Sequence, residues 1–324
     1  TGTRTVGDNG FQFYRCKSST QNRTDSYINT RCTSASECRH IGNIVPGRTP
    51  WTKNAYRHLI DSGGSFHYYH APEEDQQENA LKKFTVDHDW PPKEWEGAQE
   101  LKDAIRPGMS TLDIDRLGEE MIRSYGCIPS FKNYCGYPAS ICVSVNEEVV
   151  HGIPNAKRIL QEGDIVSLDA GVIYKGYHSD AARTHAVGEI SKAAADLIKV
   201  TEECFFEGIK YAKEGNYLYD ISGAIGRYAN ERGYGVVEDL CGHGIGSKLH
   251  EAPEIPNYEM NRRGPKLRAG MTLAIEPMIN IGTWEVDWLD DKWTVVTRDG
   301  SLSAHYEHTV LITEDEPVLL TLSK

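Results

Sequence analysis

Residues 165–180, IVSLDAGVIYKGYHSD, carry the strongest structural signal in the chain and contain two aspartates eleven residues apart, Asp169 and Asp180. The apolar run followed by the turn residues YKG, at 174–176, predicts a β-hairpin. If Tyr-Lys forms a two-residue loop, the aspartates lie directly opposite each other. If Lys-Gly forms the loop, they are diagonal neighbours on one face. In either register the two carboxylates converge.

The first aspartate lies in an apolar segment whose residues are normally buried. A buried carboxylate without a partner is strongly destabilising or stays protonated, and two neighbouring carboxylates also repel each other. A divalent cation accepts hard oxygen ligands and removes that repulsion. The hairpin therefore predicts a bound divalent cation between Asp169 and Asp180.

A faint internal repeat surrounds the hairpin. Its first copy recurs 107 positions later in the chain: Arg106-Pro-Gly108, Asp113-Ile114 and Gly126 return as Lys213-Glu-Gly215, Asp220-Ile221 and Gly233. Each copy predicts a loop glycine, a helix of about fifteen residues and a glycine that ends the helix. Apolar residues fall on one face of each predicted helix: Ile114, Leu117, Met121 and Tyr125, then Leu218, Ile221, Ile225 and Tyr228.

Strand-like segments follow each predicted helix, first at residues 139–145 and then at residues 235–237. A further amphipathic helix, at about residues 191–213, connects the two copies. The pattern predicts an α/β (α+β) fold with a pseudo-two-fold antiparallel sheet and helices on its outer face. Ligands from both halves would then meet at the centre of the sheet.

Composition divides the 324 residues into two unequal parts. Residues 1–94 have few aliphatic clusters, so we expect a loosely structured N-terminal extension. Residues 95–324 contain successive periodic apolar segments and are predicted to form the folded domain. The formal net charge of -12 argues against nucleic acid as a substrate. No apolar stretch approaches the roughly eighteen residues that span a bilayer.

The eight cysteines are too dispersed to predict a disulfide framework, so reduced thiols in the cytoplasm are expected. A zinc site could be formed by Cys16, Cys32, Cys38 and His40. Their spacing matches no standard zinc finger, and free thiols are the simpler interpretation. The first forty or so residues weakly resemble an organellar transit segment. A mitochondrial or plastid location therefore stays open beside the cytoplasm.

Three more potential ligands stand in unusual settings. His243 lies between glycines, Glu276 directly follows an aliphatic strand, and Glu307 precedes another. Taken alone, each is as readily a salt-bridged residue at the end of a strand. Taken with Asp169 and Asp180, they form a hard, oxygen-rich set that suits two divalent ions and a bridging water.

Short motifs spanning residues 134–310 extend this pattern. In chain order they are Tyr134-Cys-Gly-Tyr-Pro138, Ser144-Val-Asn146, His151-Gly-Ile-Pro154, Gly163-Asp-Ile-Val166, Cys241-Gly-His-Gly-Ile-Gly246, His250, Ile275-Glu-Pro-Met278, Trp293-Thr-Val and Tyr306-Glu-His-Thr309. In this combination and order the chain resembles the type I methionine aminopeptidases of the creatinase-like, or "pita-bread", superfamily. The resemblance implies a pita-bread catalytic domain over residues 95–324.

The resemblance also implies roles for individual residues. The metal ligands would be Asp169, Asp180, His243, Glu276 and Glu307. Asp169 would chelate one metal, Asp180 and Glu307 would bridge both, and Glu276 would also act as general base toward the metal-activated water. His151 and His250 would contact the substrate as catalytic histidines. The methionine pocket would be lined by Tyr134, Tyr137, Cys142 and Trp293, with Phe131 and Leu249 beside them.

The function implied is removal of the N-terminal methionine from nascent proteins and peptides with a small second residue. Two divalent ions of Co, Mn, Fe or Zn would serve as cofactors, since all four accept this ligand set. The expected substrates are the N-termini of nascent polypeptides. The protein is expected to be a cytoplasmic monomer that could dock on the ribosome. Neither a membrane nor a nucleic-acid substrate is expected.

Two other functions share parts of this pattern. An Xaa-Pro dipeptidase relative would have the same five ligands, but such proteins usually carry a longer folded N-terminal domain and lack the Tyr-Cys-Gly-Tyr-Pro segment. A non-catalytic pita-bread protein that binds peptides or ribosomes would not require all five ligands and both histidines. The complete set favours the aminopeptidase.

Overall fold

The computed structural model describes residues 55–60, 66–70 and 97–322. Its helices are α1 (Gly97–Ala104), α2 (Thr111–Ser124), α3 (Lys192–Ile209) and α4 (Leu218–Asn230). Its strands are β1 (Ala55–Ile60), β2 (Phe66–His70), β3 (Ile128–Pro129), β4 (Cys142–Val145), β5 (Glu148–Val150), β6 (Ile165–Tyr174), β7 (Tyr177–Ala186), β8 (Gly235–Val236), β9 (Gly242–Gly244), β10 (Glu251–Ile255), β11 (Thr272–Ile275), β12 (Met278–Asn280), β13 (Val286–Trp288), β14 (Val295–Thr297), β15 (Ser303–His305), β16 (His308–Leu311) and β17 (Val318–Leu319). The predicted domain boundary at residue 95 lies outside the described residues.

The strands form antiparallel sheets. In the first half, β6 is the central strand. It pairs with β7 along one edge and with β3 and β4 along the other. In the second half, the strand order is β10-β9-β11-β16-β17. The N-terminal strands β1 and β2 pair only with each other among the described strands.

The internal repeat is visible in the loops that precede α2 and α4. Gly108 and Gly215 have φ angles of 90° and 89°, a backbone region that favours glycine. The amide of Gly108 donates to the carbonyl oxygen of Leu160 at 2.8 Å, and that of Gly215 donates to the carbonyl oxygen of Leu267 at 3.1 Å. Both partners are also 107 positions apart, so the repeat extends over whole supersecondary units.

Serine and aspartate side chains begin the first of the two repeated helices. The Ser110 hydroxyl accepts a hydrogen bond from the amide of Asp113, whose carboxylate accepts one from the amide of Ser110. In the second copy, the Asp220 carboxylate accepts from the amide of Tyr217 at 3.0 Å. Each helix therefore begins where a side chain satisfies amides that lack a partner within the helix.

The two halves meet along β7 and the segment before β16. The amide of Glu307 donates to the carbonyl oxygen of Ala182 at 2.9 Å, and the amide of Ala182 donates back at 3.4 Å. On one side of this pair, the Thr309 hydroxyl bonds both the amide and the carbonyl oxygen of Asp180. On the other side, the Thr184 hydroxyl does the same for His305. The junction is thus locally two-fold symmetric.

Alternation along β6 separates the core from the inner face of the sheet. Val166, Leu168, Ala170 and Val172 belong to the hydrophobic cluster that packs under α1 and α2. Side chains alternate between the two faces of a strand, so Asp169 points away from that cluster. A second cluster, built from α3, α4 and the strands of the second half, covers the other part of the sheet. The predicted helices on the outer face are confirmed.

We expect matched core substitutions in the two halves to cost similar stability. Ile114 in α2 and Ile221 in α4 stand 107 positions apart, and both are 0% exposed. Replacing either by Ala should lower the free energy of unfolding by about 2–5 kcal/mol, because a cavity is left in a packed core. Urea denaturation monitored by circular dichroism measures this loss.

The matched control is Ile128→Ala, because Ile128 is 56% exposed. Its effect should stay within about 0.5 kcal/mol, as for most surface substitutions. A core variant that unfolds at the same urea concentration as the control would contradict the proposed packing.

Candidate metal centre

The hairpin that carries the two aspartates uses the Lys-Gly loop. Tyr174 pairs with Tyr177, and the loop residues Lys175 and Gly176 both have positive φ, 50° and 88°. This backbone matches the type I′ turn that suits the right-handed twist of a hairpin. The paired residues are therefore Asp169 with Ala182 and Gly171 with Asp180. The two aspartates are diagonal neighbours, the second of the two predicted registers.

Both aspartates are buried, at 8% and 4% exposure for Asp169 and Asp180. The pKa of Asp169 is raised to about 6, mainly by burial; His305 opposes this shift and Glu276 adds to it. Burial and the charge of Asp169 also raise the pKa of Asp180 well above its usual range. The fold therefore disfavours the ionised form of both groups, as expected for carboxylates that lack a positive partner.

His243 enters the site on β9, between β10 and β11. A Cβ atom on Gly242 would lie 2.3 Å from the carbonyl oxygen of Ala274, and one on Gly244 would lie 2.2 Å from that of Ala252. The flanking glycines are therefore required by close strand packing. Nδ1 of His243 lies 2.9 Å from the carbonyl oxygen of Gly244. A carbonyl only accepts, so Nδ1 carries the proton and Nε2 has the lone pair that a cation needs.

Glu276 follows β11 and stands beside this imidazole. Its Oε1 lies 3.6 Å from Nε2 of His243. Burial raises the pKa of Glu276 to about 7, and the neighbouring histidine lowers it. By sequence offset, Glu276 is the counterpart of Asp169 in the other half, since the two are 107 positions apart.

Glu307 completes the set from the junction between the halves. Ligand atoms of Asp180, His243 and Glu307 all lie within 4.8 Å of one another. Burial, followed by the charge of Asp180, raises the pKa of Glu307 well above its usual range. Within residues 97–322, Oδ1 of Asp169 and Oε1 of Glu307 are buried without a hydrogen-bond partner. Orphaned carboxylate oxygens beside an unprotonated imidazole nitrogen fit a divalent cation.

The two predicted catalytic histidines lie around this cluster. The rings of His250 and His243 pack edge to face, with their centroids 4.3 Å apart. Nδ1 of His250 lies 2.8 Å from the Tyr134 hydroxyl. His151 has a positive φ of 59° and contacts the indole of Trp293. Burial lowers the pKa of His151 to about 4 and that of His250 well below its ordinary value. Both rings are therefore neutral at pH 7.

The predicted pocket residues form one apolar cluster next to the carboxylates. Phe131, Tyr137, Cys142 and Leu249 are buried in it, and Tyr134 and Trp293 pack against it half-buried. The rings of Tyr137 and Trp293 meet edge to face at 4.9 Å. Cys142 on β4 pairs directly with Asp169 on β6. The strand pair thus places this apolar cluster beside the buried carboxylates.

Sequence reasoning missed His305, which the structure places in the centre. Its Nε2 lies 3.6 Å from Oε2 of Glu276. The available signal was its spacing of two from Glu307, because residues i and i+2 of an extended segment share a face. The predicted zinc ligands Cys16, Cys32, Cys38 and His40 lie outside the described residues.

Four carboxylates and an imidazole converge in a buried site, and this donor set suits divalent metal ions. The model of metallopeptidase family M24 matches residues 96–314, and the chain belongs to that family. It is 58% identical over 222 residues to a methionine aminopeptidase of Clostridium acetobutylicum. This alignment covers 68% of this chain and 89% of that protein.

Solved structures agree with this assignment. The crystal structure of methionine aminopeptidase from Rickettsia prowazekii matches with a TM-score of 0.71 and 40% identity, over 74% of this chain and 97% of that one. An Xaa-Pro dipeptidase from Bacillus anthracis matches with a TM-score of 0.59 and 25% identity, over 75% and 61%. The predicted family and pita-bread fold are confirmed. No helix in the described part of the chain is long and apolar enough to cross a membrane.

Metal binding is expected to release protons, and the number of protons released should decrease as the pH rises. Burial holds the pKa of Asp169 at about 6 and that of Glu276 at about 7, so below these values both groups carry protons in the metal-free protein. A carboxyl group must ionise to bind a cation, so the apparent affinity should rise with pH through this window.

Calorimetric titration with Mn²⁺ in two buffers of different ionisation enthalpy counts the protons released. The count should be higher at pH 6 than at pH 8. Equal counts at both pH values would show that these carboxyl groups do not hold protons before the metal binds.

Proposed function

We propose that this protein removes the N-terminal methionine from nascent proteins and peptides with a small second residue. The observation that carries the proposal is the contact between pocket and centre, because the pocket residue Cys142 pairs across the sheet with Asp169. A side chain held in the pocket would bring its own amino group and peptide bond to the carboxylates. The similarity to proteins named methionine aminopeptidase supports the same substrate.

The proposed metal ligands are Asp169, Asp180, His243, Glu276 and Glu307. Two ions chosen among Co, Mn, Fe and Zn suit this mixture of carboxylate and imidazole. Such ions supply Lewis acidity, which polarises a peptide carbonyl and makes a bound water nucleophilic near pH 7.

Glu276 is the proposed general base. A carboxylate held in the centre can accept a proton from a neighbouring water and release it again. It would take the proton from the attacking water and pass it to the leaving amine. Its position next to His243 keeps it within the centre while one of its oxygens is directed away from that imidazole.

His250 and His151 are proposed to bind the substrate from two sides. When the Tyr134 hydroxyl donates to Nδ1 of His250, Nε2 of that ring carries the proton. This N–H can stabilise the negative charge that develops on the carbonyl oxygen during the reaction. His151, beside Trp293, would contact the substrate from the pocket side.

The pocket chemistry suits methionine. Its walls are the aromatic rings of Phe131, Tyr137 and Trp293 and the thiol of Cys142, which burial keeps protonated by raising its pKa well above the ordinary value. Thioether sulfur makes favourable contacts with aromatic rings. Nascent chains are the proposed natural substrates. From the sequence alone, we also predict that the protein is a cytoplasmic monomer and that it meets these chains at the ribosome.

A substrate panel tests the proposed function. Metal-loaded protein is incubated with Met-Ala-Ser, Met-Leu-Ser, Leu-Ala-Ser and an Xaa-Pro peptide. We expect release of free methionine from Met-Ala-Ser and little reaction with the other three. Preferential cleavage of the Xaa-Pro peptide would favour a dipeptidase, and no cleavage of any peptide would favour a non-catalytic role.

Glu276→Gln should keep the fold and lose turnover. The amide keeps the size of the side chain but cannot accept the water's proton, so kcat for Met-Ala-Ser should fall by about 10²- to 10⁴-fold, the usual contribution of general-base catalysis. Steady-state kinetics with metal analysis of the same sample measures this.

Glu120→Gln is the matched control, because Glu120 is exposed on the outer helix α2 and far in sequence from every proposed metal ligand. It should turn over at the wild-type rate. Wild-type turnover in the Glu276 variant would exclude Glu276 as the base.

A further inference from the structure

His305 is a buried imidazole that the proposed mechanism does not use. It is 2% exposed, and neither of its ring nitrogens has a hydrogen-bond partner within the described chain. Buried polar atoms are nearly always paired, so two orphaned nitrogens on one ring need an explanation. Oε2 of Glu276 lies 3.6 Å from Nε2, and the Asp169 carboxylate also interacts electrostatically with the ring.

The local two-fold symmetry accounts for the position of His305. Thr184 bonds its amide at 2.9 Å and its carbonyl oxygen at 3.0 Å. Thr309 bonds the same two groups of Asp180, both at 2.9 Å. His305 therefore occupies, in the second half, the backbone position that Asp180 occupies in the first. The fold directs both side chains toward the carboxylate cluster.

The two oxygens of Glu276 face two different imidazoles. Oε1 lies 3.6 Å from Nε2 of His243, and Oε2 lies 3.6 Å from Nε2 of His305. His243 donates a hydrogen bond from Nδ1 to the Gly244 carbonyl oxygen, so its Nε2 has the lone pair that a cation needs. Nδ1 of His305 has no acceptor of that kind among the described residues. A neutral ring with its proton on Nε2 would direct that N–H toward the Glu276 carboxylate.

We propose that His305 positions Glu276 by donating a hydrogen bond from Nε2 to Oε2 in the working enzyme. This inference rests on the proposed function of Glu276. The present separation exceeds that of an N–H···O bond, so the two atoms must approach by roughly half an ångström. Nε2 carries a proton in both the imidazolium and this neutral tautomer, so the donor role does not depend on the charge of the ring.

Such a bond would fix the rotation of the carboxylate. With Oε2 held by His305, Oε1 stays on the side of His243, where a cation would bind. Hydrogen bonds to metal-binding groups commonly set their orientation in this way, and their loss lowers activity or metal affinity by about 10- to 100-fold. His305 is thus a positioning residue that acts through Glu276 and does not touch the substrate.

Nuclear magnetic resonance of the histidine rings tests the proposal without turnover. Full-length protein labelled with ¹⁵N-histidine is loaded with Zn²⁺, and the His305 signals are assigned by their absence in H305Q. We expect a protonated Nε2 and an unprotonated Nδ1, with the Nε2 proton shifted in Glu276→Gln. A proton on Nδ1 with an unprotonated Nε2 would overturn the proposal.

Two substitutions test the consequence for catalysis. Glutamine places an amide N–H at nearly the same distance from the backbone as Nε2, whereas leucine fills similar space without a donor. With Met-Ala-Ser, H305Q should keep kcat within about threefold of wild type, and H305L should lose about 10- to 100-fold with an unchanged KM.

Wild-type kcat in H305L, or an equal loss in both variants, would overturn the positioning role. A wild-type protein that releases no methionine would instead contradict the proposed function. The resonance measurement distinguishes these failures, because it reports the ring tautomer whether or not the protein turns over a peptide.

Discussion

The paired hydrogen bonds between Ala182 and Glu307 are the constraint on which the rest of the structure depends. They align β7 with the segment before β16 and so fix one half of the molecule against the other. On one side of this pair the amide of Asp180 donates a hydrogen bond to the Thr309 hydroxyl, and on the other the amide of His305 donates one to the Thr184 hydroxyl. A shift of register by one residue would reverse the facing of every side chain along the junction. The positions of the metal-site groups therefore follow from backbone pairing.

The same arrangement carries a cost in stability. Burial raises the pKa of each of the four carboxyl groups, so each is less stable when ionised inside the fold than in water. The hydrophobic clusters under the helices of both halves offset this penalty. Proteins concentrate perturbed groups of this kind where they carry out chemistry.

Much of the architecture could be predicted from local sequence patterns. The repeat around Gly108 and Gly215 and the helices after them required only loop glycines and apolar periodicity. The spacing of the two aspartates and the unusual settings of His243, Glu276 and Glu307 indicated candidates, and the resemblance to the family implied the complete ligand set. The hairpin register was left open, because both possible loops are compatible with the same residues and the backbone selects the Lys-Gly turn. The spacing of His305 from Glu307 indicates only a shared strand face, and its place in the centre depends on the hydrogen bond to Thr184 in a distant strand.

The division of ligands between the halves has a mechanical consequence. Of the proposed ligands, the first half would supply Asp169 and Asp180, and the second would supply His243, Glu276 and Glu307. Neither half holds a complete donor set. A bound ion would therefore act as a cross-link that closes a long loop of the chain, in the way that a disulfide does. An ion bound there would then stabilise the association of the two halves in addition to any chemical role.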